Sequence, residues 1–169
     1  MAAMSFLVCT TAIGCGYRMV GSGGDVAVAR SVAVKTPSNE SFEPGVEITV
    51  ARALRREALR RGGVTLVEDP EAADVVLSGR VLPLLTRARS FSSVVLTLEY
   101  QLTLEVELDA ELQGGETLSF DRDGLRETER YLASADIEAT RKNRQEALRL
   151  ISQAIATRVY DSIELGAAQ

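Results

Sequence analysis

Leu96-Thr97-Leu98-Glu99-Tyr100-Gln101-Leu102-Thr103-Leu104-Glu105-Val106-Glu107-Leu108-Asp109-Ala110-Glu111-Leu112 decides the fold of this chain. Every even-numbered position is apolar or aromatic, and every odd-numbered one is Thr, Glu, Gln or Asp. Successive side chains of a strand point to opposite faces, so this period of two predicts one strand with a dry face and a wet face. At about 3.3 Å per residue the strand exceeds about 50 Å, against about 17–20 Å for an ordinary one. A strand that long twists or projects beyond its neighbours. Gly114-Gly115 supplies a hairpin turn after it. Thr117 to about Arg130 is expected to return as its partner, with a bulge at Gly124.

Upstream, Asp74 to Arg89 reads as another long strand with Pro83 inside it. Proline cannot donate to a ladder, so that strand lies at an edge or is kinked there. Ser90 to Ser93 then forms a loop flanked by Arg87 and Arg89. Val46 to Arg61 has a helical period: Val46, Val50, Leu54 and Ala58 form one apolar face, and Thr49, Arg52, Arg56 and Arg60 form a polar stripe. Gly62-Gly63 stops the helix, behind arginines that suit its negative end. Val26 to Val34 and Val64 to Val67 read as short strands, and Thr36 to Gly45 as a loop dense in breakers.

Downstream, Asp136 is the expected N-cap of a last helix running to about Ile163. Leu148, Ile151, Ile155, Val159 and Ser162/Ile163 form its apolar stripe, widened by Ala147, Leu150 and Ala154. The order is β-α-β-β-β-β-α. One-sided strands need helical cover on their apolar face. The expected architecture is an α/β (α+β) two-layer sandwich. A mixed four- to five-stranded sheet is covered on one face by two helices, and the other face stays polar.

The chain of 169 residues has a formal charge of −5, so wholesale nucleic-acid binding is not expected. It has no His and no Trp. The absence of His excludes a Ser-His-Asp triad and the commonest zinc ligand. Ser90, Ser92 and Ser93 therefore have no general base of that kind, and no catalytic residue, metal site or cofactor is expected. Glu105, Glu107, Asp109 and Glu111 share one face of the long strand, a pattern that reads as solubilising rather than cation-binding.

At the start, Phe6-Leu7-Val8-Cys9-Thr10-Thr11-Ala12-Ile13-Gly14-Cys15 is an apolar run ending in small residues and a Cys. It resembles the lipobox of bacterial lipoproteins, which implies removal of residues 1–14 and lipidation of Cys15. Cys9 leaves with the signal, so no thiol remains for a disulfide. The first basic residue, Arg18, lies beyond Cys15, whereas a secretory signal opens with one. The expectation is a natural start upstream of Met1; the alternative is a buried N-terminal strand with an incidental Cys. The domain reading is a signal over 1–14, the lipidated Cys and a Gly-rich tether over 15–25, one domain over 26–165 and a frayed tail over 166–169.

A set of motifs stands in order along nearly the whole mature chain. They are Cys15-Gly16-Tyr17-Arg18, Val32-Ala33-Val34 running into Pro37-x-Asn39-Glu40 and Phe42-Glu43-Pro44-Gly45, then Leu54-Arg55-Arg56-Glu57 and Arg61-Gly62-Gly63-Val64. Ala73-Asp74-Val75-Val76-Leu77-Ser78-Gly79, Glu99-Tyr100, Tyr131-Leu132 and Asn143-Arg144-Gln145-Glu146-Ala147-Leu148 follow. In this order they resemble the LptE family of lipopolysaccharide-assembly lipoproteins. The resemblance implies an outer-membrane lipoprotein, on the periplasmic side, that plugs the lumen of the β-barrel translocon LptD and helps it assemble and deliver lipopolysaccharide. Gly16 after the Cys fits outer-membrane sorting in that resemblance.

The resemblance also implies lipopolysaccharide contacts through basic loop residues at one end of the sheet. Here Arg87 and Arg89 are the candidates; the second such loop, near Ser134, has no Lys or Arg at the corresponding place. Arg52, Arg56 and Arg60 are candidates for contact with an acidic barrel wall. For each set the alternative is an ordinary solvated surface, as it is for the wet face of the long strand. The alternative function is a lipoprotein that recruits or regulates a periplasmic cell-wall enzyme. That role calls for a longer tether than the segment from Gly16 to about Asp25.

Overall fold

The computed structural model describes residues 31–91, 97–120 and 123–166. Its elements are β1 (Ser31–Val34), β2 (Ser38–Asn39), α1 (Val46–Arg61), β3 (Thr65–Val67), a 3-10 turn (Pro70–Ala72), β4 (Val75–Val81) and β5 (Leu85–Phe91). There follow β6 (Thr97–Leu112), β7 (Thr117–Ser119), a second 3-10 turn (Asp123–Leu125), β8 (Arg126–Leu132) and α2 (Ile137–Gly166). Residues 26–30 of the expected first strand, the signal and the tether with Cys15 lie outside the described residues.

The 16-residue β6 is the spine of a mixed sheet. Its alternation is realised: Leu102, Leu104, Val106, Leu108 and Ala110 are 0–3% exposed, while Gln101, Thr103, Glu105, Glu107, Asp109 and Glu111 are half-buried or exposed. β4 pairs antiparallel with its C-terminal half, from Val75 opposite Leu112 to Val81 opposite Val106. β5 pairs antiparallel with its N-terminal half, from Leu85 opposite Thr103 to Phe91 opposite Thr97. Ala110 lies between Leu77 of β4 and Leu118 of β7, and Leu102 between Thr86 of β5 and Glu129 of β8. β1 runs parallel between β3 and β4, and the two-residue β2 runs parallel to the end of β4.

The sheet has eight strands rather than four or five, because both long partners of β6 are interrupted and Ser38–Asn39 of the expected loop pairs with β4 as β2. Between Val81 and Leu85 the outer chain advances four residues while β6 retreats three, from Val106 to Thr103. The slip falls at Leu82-Pro83-Leu84, where proline has no N–H to give the ladder. Leu82 still donates its N–H to the Glu105 carbonyl at 3.0 Å. On the return strand, Ser119 faces Asp109 and Arg126 faces Glu105, so seven residues advance against four. The 3-10 turn at Asp123–Leu125 takes up the surplus, and the expected bulge at Gly124 is this turn. Ser90 and Phe91, read from sequence as part of a loop, continue β5.

Both helices lie on the dry face. α1 has the expected bounds and buries Val46, Val50, Leu54 and Ala58. α2 begins after Asp136, whose carboxylate accepts the Glu138 N–H at 2.9 Å, and it buries Ala147, Leu148, Ile151, Ile155 and Val159. Its stripe widens on a different flank from the one read in the sequence. Leu150 is 42% exposed and Ser162 is exposed, whereas Ser152, Ala156 and Tyr160 are buried. Proximity to α1 is the cause: Gln153, Thr157 and Asp161 hydrogen-bond to α1 side chains and Tyr160 packs under Arg61. Gly79 is required for a different reason. A Cβ there would sit 2.0 Å from the Glu107 carbonyl oxygen, so β4 and β6 approach this closely only at a residue without a side chain.

Candidate functional site

The face of the sheet away from the helices is a polar surface built along β6. Cross-strand neighbours share a face, so the odd-numbered residues of β6 meet partners from both sides. Glu99 lies 3.4 Å from Arg130, Glu105 lies 4.0 Å from Arg126, and Glu107 lies 2.6 Å from Arg80. Arg80 also reaches Glu40 at 3.2 Å. Asp109 accepts a hydrogen bond from Ser119 at 2.8 Å, and the Thr103 and Thr128 hydroxyls are 2.8 Å apart. The acidic stripe is therefore largely neutralised by residues of the neighbouring strands. Among the described residues no group of three or more acidic, Cys or His side chains is arranged to hold a metal ion.

At the N-terminal end of β6 this surface changes character. Arg87 lies opposite Gln101 and so on the open face, and Arg89 sits in the irregularity between Ala88 and Ser90. Both are exposed and neither has a carboxylate partner among the described residues. Leu85, opposite Thr103, and Leu132, opposite Glu99, are 44% and 63% exposed on the same face. Alternation alone places Leu85 on the face of Arg87, whereas only the register of β8 with β6 brings Leu132 to that face.

Arg52, Arg56 and Arg60 lie on α1, in the helical layer, so they are not brought together with Arg87 and Arg89. All three are exposed, but they do not act alike. Arg60 donates to both oxygens of Glu57, at 2.9 and 2.5 Å. Glu57 is fully enclosed, and it also accepts from Arg61 at 2.9 Å and Gln153 at 2.9 Å. Arg61 continues across to α2, donating to Asp161 at 2.5 Å and to the Thr157 carbonyl at 3.1 Å. The Arg60 hydrogen bonds, opposed by burial and reinforced by Arg61, hold the Glu57 carboxyl down from 4.5 to about 2. Burial pushes the Tyr160 hydroxyl in the other direction, and it has no hydrogen-bond partner among the described residues.

A second tie lies at the other end of the helix pair. Arg144 of α2 reaches Glu43 at 2.7 Å, the Tyr131 hydroxyl at 3.2 Å and the Thr86 hydroxyl at 3.4 Å. Its guanidinium lies 5.9 Å from the Tyr131 ring centre, and Tyr131 stacks on Tyr100 at 5.3 Å. In the sequence Glu57 and Arg144 stand only as members of family-like motifs, with no role assigned to either. Glu57 had a signal, since it stands three and four residues before Arg60 and Arg61 and adjoins the buried Ala58. Arg144 had none, because its partners lie 13 to 101 residues away.

Between the N-terminal turns of α1 and the middle of α2 runs a groove of about 610 Å³. Pro44, Ile48 and Leu148 give it apolar surface, and Arg52, Lys142 and Arg149 give it positive charge. Its own carboxylates are engaged, Glu43 with Arg144 and Glu146 with Arg149. Among the described residues no helix is long and apolar enough to cross a membrane.

Comparison with the curated proteins finds no sequence match. Among solved structures, rare lipoprotein B from Shewanella oneidensis is similar in fold. It is 18% identical with a TM-score of 0.56, covering 82% of this chain and 96% of that one. An uncharacterized lipoprotein B from Nitrosomonas europaea is 13% identical with a TM-score of 0.51, covering 78% of this chain and 79% of that one. The model of the LptE family, described as lipopolysaccharide-assembly, matches residues 29–163. That span runs from just before β1 into the last turns of α2, and the chain therefore belongs to the LptE family of lipopolysaccharide-assembly lipoproteins.

Proposed function

We propose that this protein is a lipoprotein of the outer membrane, anchored through Cys15. In this reading it is the non-catalytic plug and assembly subunit of an LptD-type β-barrel translocon that inserts lipopolysaccharide in the outer leaflet. The observation that carries the reading is the family match over residues 29–163. The open sheet face supports it. A protein seated in a polar barrel lumen needs a rigid, hydrogen-bonding outer surface. The Arg80–Glu107, Ser119–Asp109 and Thr103–Thr128 hydrogen bonds along β6, with the Glu99–Arg130 and Glu105–Arg126 ion pairs beside them, supply one.

Arg87 and Arg89 are the residues we assign to lipopolysaccharide. Guanidinium groups bind phosphates and carboxylates in bidentate fashion, and these two carry no competing carboxylate among the described residues. Leu85 and Leu132 beside them offer exposed apolar surface on the same face.

The test is affinity purification of the full-length lipoprotein from detergent-solubilised outer membrane, with depletion in parallel. A single large barrel protein should co-purify, and its folded amount should fall on depletion. Recovery of a cell-wall synthase in place of a barrel would refute the plug and select a recruiting role.

A further inference from the structure

We propose that the groove between α1 and α2 seats an acidic segment of the barrel partner, clamped by Arg52 and Lys142. This rests on the assembly reading above and adds to it a place and a chemistry. The groove has two sides of different origin: Pro44 from the loop before α1 with Ile48 and Arg52 of α1, and Lys142, Gln145 and Leu148 from α2. Ile48 is 50% exposed and Leu148 is buried, so the site offers apolar surface between charged residues.

The groove carries an excess of positive charge, one cation from each of its two sides. Both carboxylates that line the groove are paired with arginines, Glu43 with Arg144 and Glu146 with Arg149, while Glu47 lies outside the lining and accepts the Asn39 amide at 2.8 Å. Arg52 and Lys142 have no carboxylate partner among the described residues. Two unneutralised cations flanking an apolar strip complement a segment with carboxylates on either side of an apolar residue. Such pairing chooses register and partner more than it adds raw affinity.

The loop beside the groove is held in one shape before any partner arrives. The Asn39 amide donates to the Glu43 carbonyl at 2.9 Å, the Ser41 N–H donates to the Asn39 carboxamide oxygen at 2.8 Å, and Glu43 is fixed by Arg144 at 2.7 Å. A rim ordered in advance costs a partner little to engage. The same loop presents Phe42, 103% exposed, one residue before the groove-lining Glu43.

The experiment places a photo-reactive residue at Gln145 in the full-length lipoprotein and irradiates native outer membrane. The cross-linked peptide of the barrel is then identified by mass spectrometry. The expected product carries Asp or Glu within a few residues of an apolar side chain. An Arg52→Glu, Lys142→Glu double variant should lower the cross-link yield about tenfold or more. Both side chains are exposed, so its melting temperature should match the parent. If the barrel co-purifies but Gln145 does not reach it, or reaches a segment without carboxylates, the groove inference fails and the assembly reading stands. The groove inference fails in the same way if charge reversal changes nothing, or if the label appears on lipopolysaccharide. If no barrel co-purifies with the parent protein, both fall.

Discussion

Replacing Glu57 by Gln tests whether charge, and not only packing, joins the C-terminal end of α1 to the C-terminal half of α2. The carboxylate is fully enclosed and receives Arg60, Arg61 and Gln153. A carboxyl held down from 4.5 to about 2 corresponds to about 3 kcal/mol of preference for its ionised form, at about 1.4 kcal/mol per pH unit. The Arg60 side chain is 63% exposed, so water screens its share and the contribution to stability is set at about 2 kcal/mol. Because folding lowers this pKa, the unfolded chain binds the proton first as pH falls. The stabilisation is complete above about 4.5 and is lost as pH approaches about 2.

The measurement is urea unfolding of the purified protein and of Glu57→Gln, followed by circular dichroism from pH 7 to pH 2.5. At pH 7 the variant should be less stable by about 2 kcal/mol, or about 4–8 °C in melting temperature for a chain of this size. The gap should close between about pH 4.5 and pH 2.5 as the parent loses its advantage. A gap that persists unchanged at pH 2.5 would refute the charge argument, and would leave shape and hydrogen-bond geometry as the cause. No gap at pH 7 would show that burying the carboxylate offsets all that its two arginines contribute.

Gly79→Ala should unfold or strongly destabilise the chain, by about 3 kcal/mol or more, because its Cβ would overlap the Glu107 carbonyl. Soluble yield and the urea midpoint read this, and parental values would mean that β4 and β6 can separate at no cost. Arg144→Ala should cost about 1–3 kcal/mol, since the half-buried Glu43 and the Tyr131 hydroxyl lose a charged donor together. Glu43→Gln in the same background should add little, and an additive double variant would show that Arg144 acts through packing on Tyr131 instead. Cys15→Ala should abolish labelling by a palmitate analogue, and label retained in the variant would place the anchor elsewhere.

Much of the fold was legible because its strongest signals are local. The β6 alternation needs only the two-residue period of a strand and a solvent boundary, and the burial of Leu102 to Ala110 follows it position by position. α1 was legible to the residue, since Gly45 and Gly62 bracket an uninterrupted apolar repeat, each with positive φ. The functional surface was less legible. Arg52, Arg56 and Arg60 look equivalent on a helical wheel, yet Arg60 is committed to Glu57 while Arg52 lines an open groove. Arg87 and Arg89 alternate like any strand pair, and although the same period places Leu85 beside Arg87, nothing local says that Leu132 lies on that face.

Local sequence alone set the periods: which residues of β6, α1 and α2 turn inward, and where Pro83 and the glycines must break the chain. Those follow from the geometry of a single strand or helix and from water on one side of it. Whatever depends on two segments meeting was settled only in the folded chain. The slip at residues 82–84 and the change of register from Ser119 to Arg126 set which cross-strand charges pair, and the approach of α2 to α1 enclosed Glu57 and buried Tyr160. That approach also left a groove with two unneutralised cations. The residues that meet at these places are up to 101 positions apart, and no local pattern encodes a contact over that distance.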